Sequence, residues 1–417
     1  MKKIVLITSG QPSSNPRIVK EAVALSEYGY QVTVLYCFWA AWANPNDEEI
    51  KQRLPQIEWV EMGGNPQTSV SLYTYTRLRH KFFRTLNTLF PSNLYISARA
   101  GSRAFSELLR AAKKEKADLY IAHNLGALAV AAKAANANPS QYAFDAEDFH
   151  RGEVGDQNGA YRRIKYLEDT FLPDAGYITA ASPLIADNYA AIYKRNVPTI
   201  NNVFSLKYQT DLKLLPFDVL KLVWFSQTIG LNRGIQDILA AANEVQHRKL
   251  HITLVGLCDK KTERELRKVL VNEMHSIHFL KPLREADLFA LCSDHHIGLA
   301  LERSEPYNRN ICLTNKLFTY LIAGNAIIAS DTLAQRKFID ENNSVGFLYR
   351  MGDVHALKQL LIQFTENEQR LTETRKAAHR LAQLKYNWEN EGAKLTSVLC
   401  GLSNQLRNSF VGSMKTT

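Results

Sequence analysis

The sequence has little of what marks several common classes of protein. Its 417 residues include only five cysteines, and no two of them form a C-x-x-C pair. This spacing excludes a disulfide framework or a structural zinc site and predicts buried thiols in a reducing compartment. No hydrophobic run is long enough to span a bilayer, and the first one, in MKKIVLITSG, is too short for a signal peptide and typical of a strand. We therefore expect a cytoplasmic protein.

Several signatures of nucleotide and nucleic-acid binding are also missing. The loop after the first predicted strand is not G-x-G-x-x-G, which argues against a dinucleotide cofactor, and the absence of a Walker loop disfavours phosphoryl transfer. No helix-turn-helix, zinc or RNA-binding motif accompanies the basic residues, so a nucleic-acid partner is disfavoured. No matched pair of carboxylates points at a candidate diphosphate site. We therefore expect neither a metal nor a cofactor.

The hydrophobic pattern predicts an α/β protein with two doubly wound parallel-sheet domains. Short apolar runs alternate with helical patterns from residue 3 to 203, as in strands buried on both faces. A polar stretch at 205–217 interrupts this alternation, which restarts at 220 and continues to 349. Two domains agree with the length, because single cores rarely grow beyond about 300 residues. The predicted domains are 1–205 and 206–385, followed by a helix at 386–402 with one apolar stripe.

Residues 302–331 form the candidate anion-binding segment of the second domain. A polar loop follows the predicted strand 296–301 and leads into a predicted helix at 315–323, which Gly324 ends. In parallel sheets ligands bind at the carboxyl ends of strands, where helix N-termini favour anions. Lys316 adds a charge to this helix start, and Arg233 lies at another. Two cations and two helix starts on a cleft between the domains suit a diphosphate; the alternative is a surface loop with an ordinary crossover helix.

Polar residues also follow the strands predicted in the first domain. Arg17 falls in the first turn of the helix after the first strand, facing the mouth of the sheet. His123 ends another strand, where it either contacts a ligand or is a satisfied structural histidine. The loop after the strand 141–144 carries three carboxylates and a histidine, which either bind a metal, act as acid–base groups or serve as caps and surface charges: Asp145, Glu147, Asp148 and His150.

The positive charge of the chain is uneven. The formal net charge is +10, and residues 77–116 contain ten Lys or Arg against two Glu. This segment is either a solvated face or a surface for anionic lipid headgroups. The nearby segment 37–43, CFWAAWA, is rich in aromatic residues that usually belong to a core, although they could instead form an exposed apolar patch. Together the two segments could form one membrane-facing surface.

Several stretches resemble glycosyltransferase family 4. They are NPRIVKEAVALSEYGYQVTV, DLYIAHNLGAL, FDAEDFH, NRGIQDILAA and, most specifically, NKLFTYLIAGNAIIAS. The resemblance covers most of the chain and implies the GT-B fold, with two Rossmann-like domains and a final helix that returns to the first. It also implies retaining transfer of a sugar from a nucleotide-diphosphate donor, held by the second domain, to an acceptor on the first. A glycan or lipid-linked acceptor, used in polysaccharide synthesis at the inner face of the plasma membrane, would fit.

The resemblance also assigns roles to individual residues. It implies that His123 lies near the transferred sugar and that Arg233 and Lys316 stabilise the leaving diphosphate. It implies donor contacts for a further set: Arg17, Gly230, Glu305, Asn315, Leu317 and Thr319.

This sequence departs from the family pattern at two positions. A basic residue often found after the first strand of the second domain is replaced by Thr228. The acid expected within the NKLF-x-Y helix, which grips the ribose hydroxyls, is Thr319. A threonine cannot accept two hydrogen bonds as a carboxylate does. A catalytically silent partner of a membrane glycosyltransferase is therefore an alternative, and so is a nucleotide-sugar epimerase on the same fold.

Overall fold

The structure, a computed structural model, describes residues 2–156 and 158–413, with side chains described as far as Leu402. The chain forms two compact units. The first contains the residues up to Ile200 and those from Gly392 onward, and the second runs from Asn201 to Glu391. The sequence placed the corresponding boundaries at 205 and 386. The final helix thus begins in the second unit and continues as part of the first.

The first unit is built on a six-stranded sheet in which each recorded strand pairing is parallel. Its spatial order is β3-β2-β1-β4-β5-β6, the order of a doubly wound nucleotide-binding fold. The direction of winding reverses between β1 and β4, and a ligand is expected at the carboxyl ends of these two strands. The strands are β1 (Lys3–Thr8), β2 (Gln31–Cys37), β3 (Glu58–Met62), β4 (Leu119–His123), β5 (Gln141–Ala146) and β6 (Ile178–Ala180).

Helices cover both faces of this sheet and occupy the connections between its strands. The first of them begins at Pro16, and Asn15 caps it by accepting a hydrogen bond from the Ile18 N–H. The basic segment predicted at 77–116 lies on three of these helices, α3 to α5. The helices are α1 (Pro16–Glu27), α2 (Asn44–Arg53), α3 (Val70–Leu89), α4 (Leu94–Gly101), α5 (Phe105–Glu115), α6 (Leu125–Ala137), α7 (Gly159–Phe171) and α8 (Pro183–Tyr193).

The second unit repeats the same topology. Its six parallel strands follow the order β12-β11-β10-β7-β8-β9, so the winding reverses between β7 and β10. The strands are β7 (Val219–Thr228), β8 (Lys249–Leu257), β9 (Ser276–Leu280), β10 (Ile297–Ala300), β11 (Ala326–Ser330) and β12 (Gly346–Tyr349). This arrangement confirms the predicted pair of doubly wound sheets.

The helices of the second unit include the one predicted at 315–323. That helix has the predicted bounds, and Gly324 ends it with a φ of 69°, a left-handed conformation that glycine adopts without strain. The polar loop predicted before it contains a further short helix. The helices are α9 (Ile235–Ala242), α10 (Lys260–Val269), α11 (Glu285–Ser293), α12 (Tyr307–Ile311), α13 (Asn315–Ala323), α14 (Leu333–Glu341), α15 (Val354–Glu366), α16 (Glu368–Leu384) and α17 (Trp388–Ser413).

The final helix, α17, buries the apolar stripe predicted for it. Leu395, Leu399 and Leu402 are all buried, and Leu402 approaches Gly176 beside β6 of the first unit. None of the helices in the described part of the chain combines the length and the hydrophobicity needed to cross a bilayer.

The favoured interpretation of the aromatic segment 37–43 as core is wrong for its two tryptophans. Trp39 is 71% exposed and Trp42 is 50% exposed, whereas Phe38 is buried. The physical reason is that β2 ends at Cys37, so the following residues leave the sheet and form a loop and a short turn of helix. The alternative, an exposed apolar patch, is the one that the structure supports.

Candidate functional site

The second unit brings its two predicted cations together where the winding of its sheet reverses. The loop after β7 carries Arg233 just before α9, and the chain leaving β10 carries Glu302. Because β7 and β10 are neighbours in a parallel sheet, the residues after their carboxyl ends lie at the same edge. Helix α13 follows from the same edge and contributes Lys316 in its first turn.

Glu302 links the two cations. Lys316 Nζ donates a hydrogen bond to Glu302 Oε1, and Arg233 Nη1 lies 3.8 Å from Glu302 Oε2. Glu302 and Lys316 are buried, while the Arg233 side chain keeps 23% of its surface exposed. One carboxylate between two cations leaves this cluster with an excess positive charge. An anion reaching the exposed Arg233 would therefore meet a favourable field.

Packing fixes the position of helix α13 and hence of Lys316. Gly298 in β10 has no side chain, and a Cβ at that position would lie 2.2 Å from the Tyr320 ring. The ring rests directly on the sheet, and its hydroxyl lies 3.2 Å from the Val223 carbonyl oxygen of β7 and 3.1 Å from that of Leu299 in β10. Glu302 is held from the other side, because its N–H donates to Ser330 Oγ at 2.9 Å.

Two helix starts at this edge have no side-chain cap. Gly234, with a φ of 75°, precedes α9 and has no side chain to cap it. Thr314 precedes α13, and its hydroxyl accepts no hydrogen bond from the first turn. The Thr314 hydroxyl has no hydrogen-bond partner among the described residues. Uncapped amide N–H groups carry partial positive charge and bind anions. Their position adds to the field of Arg233 and Lys316.

The other residues predicted to contact a donor occupy different environments. Gly230 and Asn315 are half-buried, the first in the β7–α9 loop and the second at the start of α13, and Glu305 is exposed. Leu317 and Thr319 are buried inside α13, and the Thr319 hydroxyl has no hydrogen-bond partner among the described residues. Their donor contacts stay predictions.

In the first unit the polar residues form a row across the carboxyl edge of the sheet. The strand register pairs Thr8 with His123, His123 with Asp145, and Asp145 with Thr179. Asp145 is therefore a residue of β5 itself, and its prediction as part of the following loop is wrong. The apolar run read as the strand ends at Phe144, but the parallel pairing with β6 continues to Ala146. All four side chains of this row are buried.

Arg17 enters this row from α1 and pairs with Asp145. Its Nε lies 2.5 Å from Oδ2 and its Nη2 lies 2.7 Å from Oδ1, while Nη1 donates to the Ile200 carbonyl at 2.5 Å. Thr179 donates to the same carboxylate at 2.6 Å. Burial raises the pKa of Asp145, but Arg17 outweighs it and holds that pKa below its usual value. Arg17 is only 2% exposed, so the structure places it under the edge of the sheet and not at its open mouth.

His123 lies between two carboxylates in the same row. Its Nε2 is 2.9 Å from Glu21 Oε2, and its Nδ1 is 3.4 Å from Asp145 Oδ2. Burial disfavours the charged imidazole, but the charge of Glu21 and the neighbouring acids outweighs burial and raises the pKa of His123 to about 10. His123 is therefore an imidazolium at neutral pH, fully buried and surrounded by acids. Neither ring nitrogen forms a hydrogen bond of good geometry among the described residues, so His123 is held by the charges around it.

Glu21, His123 and Asp145 also have the spacing of metal ligands, with their donor atoms within 4.8 Å of one another. The chemistry of the set does not fit a metal. The Arg17 guanidinium donates to both oxygens of Asp145, so a fixed positive charge already lies where a metal cation would have to bind that carboxylate. His150, another predicted candidate, pairs instead with Glu153 at 2.9 Å. The cluster in the first unit is a buried charge network.

Glu21 was not predicted as a site residue, and Glu302 was predicted only as part of the segment 302–331, with no role of its own. Glu21 follows Arg17 by four residues and so shares its face of α1, a spacing that predicts a common environment. Glu302 directly follows the apolar run of β10, where a buried acid signals a partner of opposite charge. Both signals were present in the sequence.

Neither the family models nor the curated proteins contain a match to this chain. Among solved structures, HepE of Anabaena in complex with UDP has a TM-score of 0.67 at 15% identity, covering 96% of this chain and 100% of that one. Sucrose-phosphate synthase from Thermosynechococcus elongatus has a TM-score of 0.68 at 14% identity, covering 97% and 100%. A candidate UDP-N-acetylglucosamine 2-epimerase from Listeria monocytogenes has a TM-score of 0.60 at 11% identity, covering 97% and 98%. These likenesses confirm the predicted GT-B fold.

Proposed function

We propose that this protein is a retaining glycosyltransferase. It would move a sugar from a nucleotide-diphosphate donor to a glycan or lipid-linked acceptor in the synthesis of cell-surface polysaccharide. The observation that carries the proposal is the convergence of Arg233 and Lys316 on Glu302, beside two uncapped helix starts. Such an arrangement favours a diphosphate, and HepE, which shares the fold, is described in complex with UDP.

The chemical demand on this site is the stabilisation of a leaving diphosphate. When the bond from the anomeric carbon to the phosphate oxygen breaks, negative charge grows on that oxygen. The partly exposed Arg233 would meet this charge, and the buried Lys316 and the uncapped helix starts strengthen the local field. In a retaining reaction without a protein nucleophile, the acceptor hydroxyl attacks the same face and its proton passes to the departing phosphate. No metal is needed for this charge balance.

We assign His123 a positioning role in this reaction. Its side chain is fully buried at the end of β4. The next residue, Asn124, takes a φ of 68°, accepts a hydrogen bond from the Ser9 hydroxyl and donates one to Thr8 Oγ1, both at the carboxyl end of β1. By pairing with Glu21 and Asp145, His123 would hold the end of β4 in place, and with it Asn124 and the loop that faces the acceptor. Direct contact with the transferred sugar, as the family resemblance implies, would require the Glu21 contact to open.

The test is a calorimetric titration of UDP-, GDP- and ADP-sugars. One donor should bind the wild-type protein, and Arg233→Gln should weaken that binding at least about ten-fold, because a charge-assisted contact to phosphate contributes about 1.5–3 kcal/mol. Arg264→Gln is the matched control, since Arg264 is an exposed arginine on α10 whose Nε donates to the Lys260 carbonyl of its own helix. An NMR assay of the product would then read the anomeric configuration. Equal binding by both variants would overturn the assignment of Arg233.

Two other functions have a supporting observation. Thr319 in place of the expected acid favours a catalytically silent GT-B protein that partners an active glycosyltransferase, and binding of none of the donors would support that function. The likeness to a candidate epimerase favours a nucleotide-sugar epimerase. Conversion of the donor without any acceptor would distinguish the epimerase from a transferase.

We also propose that the protein is cytoplasmic and binds the inner face of the plasma membrane through the segment 77–116, most of all through helix α3, with which this segment begins. One face of α3 is exposed and apolar, with Tyr75, Leu78, Phe82 and Leu89 at helical spacing. A second face carries exposed cations. An exposed apolar stripe beside cations is typical of helices that lie in an anionic membrane surface.

A further inference from the structure

The first unit contains a groove of about 880 Å³ that the proposed donor site does not use. Four segments form it: the end of β1 at Ser9, the loop after β2 with Phe38 and Trp39, one face of α3, and the α4–α5 connection. The residues lining it include five basic side chains and no carboxylate: Arg77, His80, Lys81, Arg84 and Arg103. Its chemistry is therefore that of an anion site.

The cations on α3 are not neutralised within the protein. Arg77, Lys81 and Arg84 follow one another at spacings of four and three residues, and so they share one face of the helix. No ion pair involves them among the described residues, whereas Arg79, on another face, pairs with Glu107 at 2.5 Å. Their charges therefore add up along the groove.

Arg163 on α7 adds a further positive charge near this groove, since its charge acts on His80. Arg163 on α7 buries its Nε without a hydrogen-bond partner among the described residues. Burial, together with the charges of Arg84 and Arg163, holds the pKa of His80 below its usual value. Several like charges thus lie close together, and no carboxylate is among the residues that line the groove. Holding them together costs free energy that a bound anion would recover.

Arg103, which also lines the groove, is held in a fixed position by hydrogen bonds within the protein. Arg103 donates to Thr76 Oγ1 at 2.6 Å and to the carbonyl oxygens of Phe38 and Gly64 at 3.2 Å each, so its guanidinium is fixed. Ser102 beside it is only 3% exposed, and its hydroxyl has no partner among the described residues. A ligand phosphate would supply the missing acceptor for that hydroxyl.

The groove also lies where a doubly wound sheet binds ligands. Ser9 follows the carboxyl end of β1, and its hydroxyl donates to Asn124 beyond β4 at 2.9 Å. These two strands flank the reversal of winding in the first sheet. Phe38, Trp39 and Tyr73 line the same groove and offer flat surfaces on which a sugar ring can stack. The groove thus combines an anion site with a platform for a carbohydrate.

We propose that this groove binds the phosphate or diphosphate group of a phosphorylated acceptor. The proposal rests on the proposed transferase function, because it names the chemical class of the acceptor. The phosphate either joins a sugar to a lipid or belongs to a free sugar phosphate. Both present the same dianionic group to Lys81 and Arg84, with the attached sugar directed toward Ser9.

The binding test uses inorganic pyrophosphate and reads the fluorescence of Trp39. It is made in an Arg233→Gln background, which weakens diphosphate binding in the second unit. Pyrophosphate should change the emission, and a Trp39→Phe protein should lack that change. The double variant Lys81→Gln/Arg84→Gln should weaken binding at least ten-fold. Its control, Lys113→Gln/Lys114→Gln, removes the same charge from exposed positions on α5 and should bind as before.

Two further ligands show whether the phosphate belongs to a free sugar phosphate or to a lipid carrier. Glucose 1-phosphate represents a free sugar phosphate, and decyl diphosphate in detergent micelles represents a lipid carrier. Tighter binding of either, with the same sensitivity to the double variant, identifies the source. Absence of binding by all three ligands, or equal losses in the double variant and its control, would overturn the proposal. Donor binding by calorimetry is read separately, so failure of the groove and failure of the transferase function give different results.

Discussion

Lys316 and Glu302 form a buried ion pair that joins the start of α13 to the end of β10. The pair is closed before any ligand arrives, and Glu302 Oε2 also lies 3.8 Å from Arg233. Glu302 therefore does two things in the free protein. It keeps Lys316 in place at low dielectric, and it offsets part of the positive charge that a diphosphate would otherwise meet.

Replacing Glu302 with glutamine should tighten the binding of a nucleoside diphosphate. The amide keeps the shape of the side chain but leaves both cations with their full charge. We expect about ten-fold stronger binding of UDP or the matching diphosphate at low salt, equivalent to about 1.4 kcal/mol. The buried Lys316 loses its counter-ion, so thermal stability should fall at the same time. Calorimetry at two salt concentrations measures the first effect and a thermal melt the second.

A weaker interaction of Glu302→Gln with the diphosphate would mean that Glu302 itself contacts the donor. Glu341→Gln is the matched control, because Glu341 is exposed at the last residue of α14 and is not among the predicted donor contacts. It should leave both the affinity and the melting temperature unchanged.

Two substitutions of Thr319 test the ribose hypothesis. Its hydroxyl is buried and has no hydrogen-bond partner among the described residues, so Thr319→Val should leave stability unchanged or raise it by up to about 1 kcal/mol. If the hydroxyl binds the ribose of the donor, the same variant should weaken nucleotide binding several-fold. Thr319→Glu should tighten it, because a carboxylate accepts two hydrogen bonds. Unchanged affinity in both variants would show that position 319 does not contact the nucleotide.

The sequence was sufficient to predict the elements that depend on local pattern. Helix α13 begins and ends where its apolar spacing and Gly324 indicated, because both signals are local. The buried strands β1, β4 and β10 were recognisable as short apolar runs between polar loops. Strand β3 was missed, since Glu58 and Glu61 interrupt its hydrophobic pattern and it lies at the edge of the sheet.

Contacts between distant segments could not be derived in the same way. Arg17 meets Asp145 across 128 residues, and the strand register that aligns them is a property of the whole sheet. The sequence placed Arg17 at the correct edge but could not show that Asp145 and Ile200 would occupy its guanidinium. Arg233 and Lys316 were predicted to converge because both begin helices at the same sheet edge, a rule that holds for the whole fold class.

The apolar face of α3 predicts a measurable affinity for anionic membranes. Sedimentation with vesicles containing anionic lipid should retain the protein at low salt and release it at high salt, since screening shortens the reach of the cations. Leu78→Ser/Phe82→Ser should reduce the retained fraction several-fold, because both side chains are exposed and apolar. Leu384→Ser, at an equally exposed position on α16, is the control and should have no effect. If vesicles of neutral lipid retained the protein and anionic vesicles did not, the attachment could not be electrostatic.

The charge on His123 predicts that stability decreases in mildly alkaline solution. Its pKa is raised to about 10 in the folded protein, whereas an unfolded histidine titrates near 6.5. A raised folded pKa stabilises the folded state fully below about pH 6.5, and this contribution is lost as the pH rises toward 10. His150, whose pKa is raised to about 9 mainly by Glu153 against the effect of burial, contributes in the same direction.

Glu21→Gln isolates the part that belongs to His123. Among the interactions that raise the pKa of His123, the charge of Glu21 is the largest, and glutamine removes it with little change in shape. Between pH 6.5 and 9 the wild-type free energy of unfolding should fall by on the order of 1–3 kcal/mol more than that of Glu21→Gln. Glu27→Gln, at an exposed position on the same helix, should follow the wild type. Urea denaturation at pH 6.5, 8 and 9 gives the free energy of unfolding of each of the three proteins as a function of pH. Parallel decreases for wild type and Glu21→Gln would show that His123 is neutral in the folded protein.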